Sequence, residues 1–419
     1  MVRKEINEIK ALFDAIDDCG IKKMAGCYVN AEKEKVKTFC ESFHHIPEEE
    51  MYKYLEIFRK TLSGTPGKNL LDMQFQGKVE EKGKNLLDAV RASDLEDEAV
   101  LDSFYDSVIA SYDYVGNYLI LLINQAYDVP GMTTDGIEMD DASDEVYNYI
   151  LCCICPMKLT RPGLGYDDDL RQIHTMKQLF AVELPDIGFL YPAFNERSAD
   201  DGALLYYCKR ADVLQDLLLQ KVLDVSMTLP AKQQKTGFNE FVTDILGEES
   251  SFETVLSIQE NLNDTIKSIK NETEGEAVYL DKTAVKNVFE KSGVSGEKLA
   301  DFDKKFDDQF DLKKIREQEI RKNMLGKKEQ DEESETSEEV EASIENSPYL
   351  TNLAEVRVEE KLFADNVAPV KNFEIKTQDM ILKINSKHTD IVDTRIIDGK
   401  KYLLIELSDD LTVNGIPVK

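Results

Sequence analysis

The sequence has none of the short motifs that mark the common enzyme classes, and it has few histidines. The four histidines are His44, His45, His174 and His388, and none has the spacing of a metal-binding HExxH motif. A GxSxG nucleophile elbow, a GxxxxGK[ST] phosphate loop and a GxGxxG dinucleotide fingerprint are also missing. These absences exclude the enzyme classes that can be recognised from such a motif. We also predict no cofactor. They do not exclude enzymes as such.

Long apolar runs are missing too. A membrane span needs roughly 18 apolar residues, whereas the run YLILLI at Tyr118–Ile123 is only strand-sized. The first residues are charged throughout and have no apolar core of a secretion signal. The seven cysteines are an odd number. We therefore expect reduced thiols, a cytoplasmic location and no membrane partner.

Basic residues are in short supply. The 419-residue chain has 51 Lys and Arg against 82 Asp and Glu, so its net charge is −31. Such a surface repels nucleic-acid phosphates and anionic lipids and favours solubility. Direct binding of nucleic acid is therefore not expected. A basic partner, or a role as an acidic mimic of DNA, stays open.

The central part of the chain predicts a buried sheet. Four segments are rich in β-branched and aromatic residues and are bounded by turn-forming residues, namely Gly116–Pro130, Asp141–Leu159, Gly188–Phe194 and Ala203–Cys208. Several are apolar on both faces, which predicts helices on both sides of the sheet. Apolar residues at helical spacing predict amphipathic helices over 2–17, from Pro47 onward and over about 96–112. The predicted fold class is α+β, with a largely antiparallel central sheet covered by helices.

Composition predicts four parts. Residues 1–211 form the α+β domain, 212–325 a mostly helical region, 326–348 an acidic disordered linker and 349–419 a small β-rich C-terminal module. The run 329–345 has nine acidic and no basic residues and is predicted to be disordered. It follows the basic stretch Lys313–Lys328, which it is hypothesised to mask. Asp398-Gly399 predicts a hairpin within the β module.

Residues 281–310 have the outline of a helix-turn-helix, with Asp281 and Ser295 as the expected N-caps. The second helix has net negative charge, which would repel it from a DNA groove. A pair of helices packed on each other is the favoured interpretation.

Two clusters suggest metal chemistry but do not meet its requirements. Cys152, Cys153 and Cys155 have no second pair of cysteines to complete a zinc site, so core packing is favoured. The acidic segment Asp135–Glu145 has neither the ligand order nor the glycine of an EF-hand. We predict no metal site.

A ligand site is predicted on the connections that leave the central strands. Arg161 and Tyr166 follow one strand, and Asn195, Arg197 and Ser198 follow another. The two arginines have the chemistry to clamp a carboxylate or phosphate. Salt bridges to nearby aspartates are the alternative.

Seven segments together resemble one family: GCYVN, KTLSGTPGKNLLDMQF, GNYLILLINQAYDVP, DASDEVYNYILCCICPMKL, GFLYPAFNERS, AVKNVFEKSGVS and VDTRIIDGKKYLLIE. They resemble a domain-of-unknown-function family, family 4317, found mainly in Gram-positive anaerobes. The resemblance covers nearly the whole chain and implies neither an activity nor catalytic residues. The Gly-Asn-Tyr-Leu strand and the closing β module are also similar to parts of bacterial nucleoid-associated proteins.

Three functions are compatible with the sequence. The favoured one is a cytosolic, non-catalytic interaction protein, homo-oligomeric and associated with a protein or nucleoid partner. The second is an enzyme or ligand-binding protein with an anionic-ligand site at Arg161, Tyr166, Asn195, Arg197 and Ser198. The third is an acidic DNA mimic.

Overall fold

The computed structural model describes residues 1–16, 19–77, 81–132, 138–168, 171–211, 214–247, 250–272, 278–318, 361–368, 372–385, 388, 391–406, 412–413 and 416–417. The chain divides into two compact units. The first comprises the described residues of Met1–Gln233 together with 308–318, and the second those of Gln234–Glu274, Val278–Asp307 and Lys361–Lys419.

The first unit is built on an eight-stranded sheet. The sheet strands are β1 (Lys23–Val29), β2 (Lys35–Ser42), β3 (Leu70–Gln74), β4 (Asn117–Met132), β5 (Glu138–Leu159), β8 (Phe180–Val182), β9 (Ile187–Tyr191) and β12 (Ala203–Cys208). Their order is β2-β1-β4-β5-β9-β12-β3, and β8 also pairs with β5. Each named pair of strands in this sheet is antiparallel.

Two short hairpins complete the strands of this unit, and helices flank the sheet. The hairpins are β6 (Leu164–Asp167) with β7 (Gln172–Thr175), and β10 (Ala193–Asn195) with β11 (Ser198–Asp200). The helices are α1 (Arg3–Ala11), α2 (Glu48–Thr61), α3 (Lys82–Ala92), α4 (Glu98–Ser111) and α5 (Asp216–Leu218), which continues as a π-helical turn over Leu219–Leu223.

The central sheet is covered on both faces. Ile9 of α1 and Phe58 of α2 belong to one apolar cluster with Leu121 of β4 and Leu151 of β5. On the opposite face, the rings of Phe104 in α4 and Phe189 in β9 are 6.3 Å apart. Side chains on both faces of the strands are therefore removed from water, which explains why the strands have apolar residues at successive positions. The predicted α+β class with an antiparallel sheet under helices is confirmed.

The second unit combines helices with small hairpins. Its helices are α6 (Ala231–Leu246), α7 (Phe252–Glu272), α8 (Lys282–Lys291), α9 (Phe302–Phe310) and α10 (Ala364–Val367). Its strands are β13 (Tyr279–Leu280), β14 (Leu362–Phe363), β15 (Asn372–Lys376), β16 (Ile381–Asn385), β17 (Val392–Ile397), β18 (Lys400–Ile405), β19 (Thr412–Val413) and β20 (Ile416–Pro417). The rings of Phe241, Phe289 and Phe302 pack at centroid distances between 5.1 and 5.8 Å.

The predicted helix pair is present, with one boundary corrected. Asp281 caps α8, because its carboxylate accepts from the Ala284 N–H at 2.7 Å. Ser295 does not begin the next helix: α9 starts at Phe302, and the residues between them form turns. Lys298 is held in these turns by its N–H to the Ser295 carbonyl, 3.1 Å, and by its Nζ to the Leu246 carbonyl, 2.6 Å.

The predicted turn of the β module is confirmed. Asp398 and Gly399 join β17 to β18 with φ of 52° and 76°, the left-handed backbone that a tight hairpin turn requires. The predicted acidic linker 326–348 and the masking hypothesis fall on residues outside those described, except for the first residues of the basic stretch. The predicted domain boundaries stay predictions.

Candidate functional site

A two-stranded ribbon formed by residues 158–168 and 171–184 of the first unit is here called the projecting ribbon. It prolongs β5 and β8 into the β6–β7 hairpin. Met157 pairs with Val182 and Leu159 with Phe180, and the same register continues through Leu164 with Thr175 to Asp167 with Gln172. Between these pairs, the Thr160 N–H donates to the Leu179 carbonyl and the Met176 N–H to the Gly163 carbonyl, both at 2.8 Å. The ribbon is therefore one continuous antiparallel structure.

The ribbon extends past its neighbours in the sheet. Strand β4 accompanies β5 only as far as Met157, which pairs with Asn117, and β9 only as far as Ile154, which pairs with Ile187. From Leu159 to Asp167 the ribbon runs for about 27 Å, at roughly 3.4 Å per residue. Since an isolated two-stranded ribbon is at best marginally stable in water, this segment is a candidate for stabilisation by a bound surface.

The ribbon is apolar and exposed. Leu164 and Tyr166 lie two residues apart in β6, and Ile173 pairs with Tyr166, so the three side chains share one face. Their exposed fractions are 75%, 62% and 70%. The large apolar side chains exposed on the ribbon are Leu159, Leu164, Tyr166, Ile173, Met176, Leu179, Phe180, Val182 and Leu184. The register places these side chains on both faces of the ribbon. Exposed apolar residues in such number are typical of protein or ligand contact sites in soluble proteins.

The ribbon also differs from the rest of the chain in charge. Between Lys158 and Leu184 there are four basic residues and four acidic residues, so the ribbon is neutral and the rest of the chain carries the whole net charge of −31. Lys158 and Glu183 form an ion pair of 3.0 Å at its root. A neutral apolar ribbon on an acidic protein can approach other surfaces without the repulsion that the rest of the molecule generates.

Two of the predicted site residues lie on this ribbon. Arg161 and Tyr166 are both exposed, with Tyr166 in β6 and Arg161 in the connection that precedes it. Both side chains lie on an open surface.

The other three predicted residues lie in the β10–β11 hairpin. Asn195 pairs with Ser198, and the two turn residues Glu196 and Arg197 have φ of 51° and 61°. Such left-handed backbone is uncommon outside glycine and asparagine. The Asn195 amide donates to the Asp200 carboxylate at 2.7 Å. The hairpin is therefore held by internal contacts.

Arg197 is bound by the protein itself. Its Nη1 donates to both carboxylate oxygens of Glu8, at 3.0 and 2.8 Å, and its Nη2 donates to the Pro130 carbonyl at 2.9 Å. Arg197 therefore forms a salt bridge, as the alternative interpretation predicted, but its partner is Glu8 of α1 and not one of the nearby aspartates.

The predicted residues are not brought together. The β10–β11 hairpin lies beside Glu145 of β5, whose carboxylate accepts from the Ala199 N–H, whereas Arg161 lies beyond Leu159 at the other end of the same strand. The distance along β5 from Glu145 to Leu159 is roughly 45 Å at about 3.3 Å per residue. One ligand cannot contact both arginines of the same chain. Ligand binding by either group alone stays a prediction.

A polar cleft of about 480 Å³ lies near the C-terminal end of α3. It is lined by Arg91, Ala92, Asp94, Asn124, Val146, Asn148 and Ala199. Arg91 is already paired with Asp201 at 2.7 Å and Asp88 at 3.2 Å, and its guanidinium lies 5.4 Å from the centre of the Tyr191 ring. The one carboxylate in the lining, Asp94, accepts a hydrogen bond from the Asn124 amide at 3.0 Å. The lining includes no Ser, Cys, Lys or His beside it, so the cleft does not define a reaction.

The cysteine cluster is part of the core. All seven cysteines lie among the described residues and none forms a disulfide; Cys40 is exposed and the other six are buried. Burial raises the pKa of Cys27 to about 11 and that of Cys153 to about 12, although the hydroxyl of Thr61 at 3.0 Å from Cys153 opposes part of this shift. Burial also raises the pKa of Cys152 and Cys155 well above the usual range. These thiols are protonated and inert at neutral pH.

Within the described ranges, no cluster of three or more His, Cys, Asp or Glu side chains has a metal-binding arrangement. The side chains of 132–144, which include most of the acidic segment Asp135–Glu145, lie outside the described residues. The prediction of no metal site in that segment stays a prediction. In the same described part of the chain, we find no helix with the length and apolar content to cross a bilayer.

The sequence identified Tyr166 but not the apolar residues around it. Leu164, Ile173 and Leu179 carry the exposed surface, and their sequence signal was the alternation of Leu164 with Tyr166 on either side of Gly165. The glycines and aspartates of the same stretch indicated a connection instead of a strand. The sequence therefore predicted a loop over these residues and not an exposed apolar ribbon.

Fold and surface together define an α+β protein with a covered eight-stranded antiparallel sheet and a projecting β-ribbon. A family model described as "Domain of unknown function (DUF4317)" matches residues 1–346 and 332–416. The chain belongs to this family, and the predicted resemblance is confirmed. No curated protein matches the chain. No solved structure matches it either. The similarity to nucleoid-associated proteins stays a prediction.

Proposed function

We propose that this chain is a non-catalytic interaction protein of the cytoplasm that binds a partner protein through the projecting ribbon. The observation that supports the proposal is the exposed apolar face formed by Leu164, Tyr166 and Ile173, on a ribbon that extends past the described strands beside it. Burying this face would remove apolar surface from water, which is the main favourable term in protein association.

The charge of the chain favours a protein over a nucleic acid as the partner. A net charge of −31 opposes the approach of a phosphate backbone, whereas the neutral ribbon can dock on an apolar surface. Association with the nucleoid would then require that the ribbon bind a protein that is itself bound to DNA. Neither the anionic-ligand enzyme nor the DNA mimic is favoured by a specific contact among the residues described.

The test compares the tagged wild-type protein with two double variants in pull-downs from its own cytoplasm, with and without nuclease. Tyr166→Ser with Ile173→Ser removes two of the three apolar side chains of the ribbon face. Val36→Ser with Val115→Ser is the matched control, because these valines are exposed apolar residues outside the ribbon, at 55% and 94%. We expect a partner that is retained after nuclease treatment, retained by the control and lost by the ribbon variant.

The captured protein is then purified and its direct binding to both variants is measured. A loss of binding of about tenfold or more in the ribbon variant alone would support the proposal. Equal binding by the wild type and the ribbon variant, or a partner released by nuclease, would contradict it.

A further inference from the structure

The charge distribution and the length of the ribbon point to one partner in particular. We infer that a second copy of this chain binds through its own projecting ribbon, so that the protein is a two-fold dimer joined ribbon to ribbon. This inference rests on the proposed function and names the partner.

The first argument is electrostatic. Each copy carries −31 outside the ribbon and no net charge within it, so the net electrostatic repulsion between two copies arises from the parts of the chain outside the ribbons. The Debye length is about 8 Å at physiological ionic strength, and a ribbon of about 27 Å holds the two central sheets farther apart than that distance. Contact through the ribbons therefore avoids most of the repulsion between the acidic parts.

The second argument is the size of the surface. One side of a standard protein interface contributes about 20 to 30 residues and roughly 800 Å². The ribbon from Lys158 to Leu184 comprises 27 residues, a number within that residue range. A two-fold contact uses the same patch on both copies, so the face of Leu164, Tyr166 and Ile173 on one copy would cover the same face on the other.

The third argument concerns the backbone hydrogen-bonding groups at the edges of the ribbon. Strands β6 and β7 pair only with each other in the described sheet arrangement, and both edges of a two-stranded ribbon have backbone groups that can pair with another strand. A second ribbon supplies both a matching apolar face and a matching strand edge.

The experiment is sedimentation equilibrium of the purified full-length protein across a roughly hundredfold concentration range, since dimer formation is concentration-dependent. We expect the wild type and the Val36→Ser/Val115→Ser control to dimerise with the same Kd. We expect Tyr166→Ser with Ile173→Ser to raise that Kd by about tenfold or more. Circular dichroism melts establish that each variant is folded, and Leu164→Ser with Leu179→Ser serves as a second ribbon variant if the first is not.

The dependence of the dimer Kd on salt concentration distinguishes a ribbon dimer from a dimer in which the acidic parts of the two copies are in contact. Raising NaCl from about 0.15 M to 1 M shortens the Debye length from about 8 to 3 Å. A ribbon dimer should change its Kd by less than about threefold, whereas acidic surfaces in contact would bind much more tightly at high salt.

Two results would overturn the inference. A wild-type protein that stays monomeric throughout would do so while leaving the proposed function intact, provided that ribbon-dependent capture of another protein is still observed. A dimer that persists in both ribbon variants would place the contact elsewhere on the chain.

Discussion

Arg197 and Glu8 form a two-pronged ion pair that joins the β10–β11 hairpin to helix α1. The guanidinium Nη1 donates to both carboxylate oxygens, and the phenol of Tyr127 donates to the same carboxylate at 2.8 Å. The side chains of Arg197 and Glu8 are only 21% and 15% exposed. This arginine therefore has a structural role, in contrast to Arg161, which is exposed on the projecting ribbon.

The first prediction follows from that contrast. Arg197→Met leaves the largely buried Glu8 carboxylate without its cation, and we expect a loss of about 2 kcal/mol in the free energy of unfolding. Arg161→Met changes an exposed side chain, and we expect a change within about 0.5 kcal/mol. Urea unfolding of both variants and the wild type, with equal m-values, measures the difference. Equal stabilities for the two variants would show that the Glu8 pair contributes nothing.

The central strands could be predicted because a strand that is buried on both faces has apolar residues at successive positions in the sequence. Tyr147, Tyr149 and Leu151 face one layer of helices, Ile150 and Cys152 face the other, and all five are buried. In a segment too short to span a membrane, apolar residues at successive positions are typical of a strand that is covered on both sides.

The ribbon could not be predicted in the same way. Leu164, Tyr166 and Ile173 are of the same residue types as the buried strands, and composition does not say whether neighbouring strands flank a segment. The same limit applies to the predicted ligand site. Arg161 and Arg197 both follow strands, but the length and register of β5, which separate them, depend on pairing between residues distant in sequence.

The second prediction concerns the contact between helix α2 and strand β9. A Cβ at Gly188 would lie 2.4 Å from Thr61 Cγ2 and 2.6 Å from the Cys152 carbonyl oxygen. Gly188→Ala should therefore force the helix and sheet apart and cost about 2 to 3 kcal/mol of stability. Gly296→Ala is the control, because a Cβ there meets no atom within 4 Å. Chemical unfolding measures both, and a Gly188→Ala protein as stable as the control would contradict the close packing.

The third prediction is a loss of stability at alkaline pH. Burial raises the pKa of Cys27 to about 11 and that of Cys153 to about 12, while an unfolded cysteine has a pKa of about 8.5. Above pH 8.5 the unfolded chain releases these protons and the folded chain retains them, so rising pH favours unfolding. Each thiol contributes up to about 1.4 kcal/mol per pH unit until its folded pKa is reached.

Urea unfolding at intervals from pH 7 to pH 10.5 measures this dependence. The thiol contribution should be constant below about pH 8 and should then decrease steadily, as the pKa values require. Cys27→Ala removes one of the titrating groups, so its stability should fall less steeply with pH than that of the wild type. A free energy of unfolding that is independent of pH between 8.5 and 10.5 would contradict the prediction.

The last prediction uses the one exposed cysteine. The Cys40 thiol donates to the Leu95 carbonyl at 3.3 Å, and partial burial raises its pKa, with the nearby Lys23 opposing the shift. In the folded protein a thiol reagent should therefore label one cysteine of seven, more slowly than a free thiol, and the rate should increase with pH as the thiolate fraction grows. Cys40→Ser should abolish this labelling, and urea should expose the remaining six thiols. Mass spectrometry identifies the labelled position. If Cys152 or Cys155 were labelled in the folded protein at a rate comparable to Cys40, the central strands would open far more often than their burial on both faces allows.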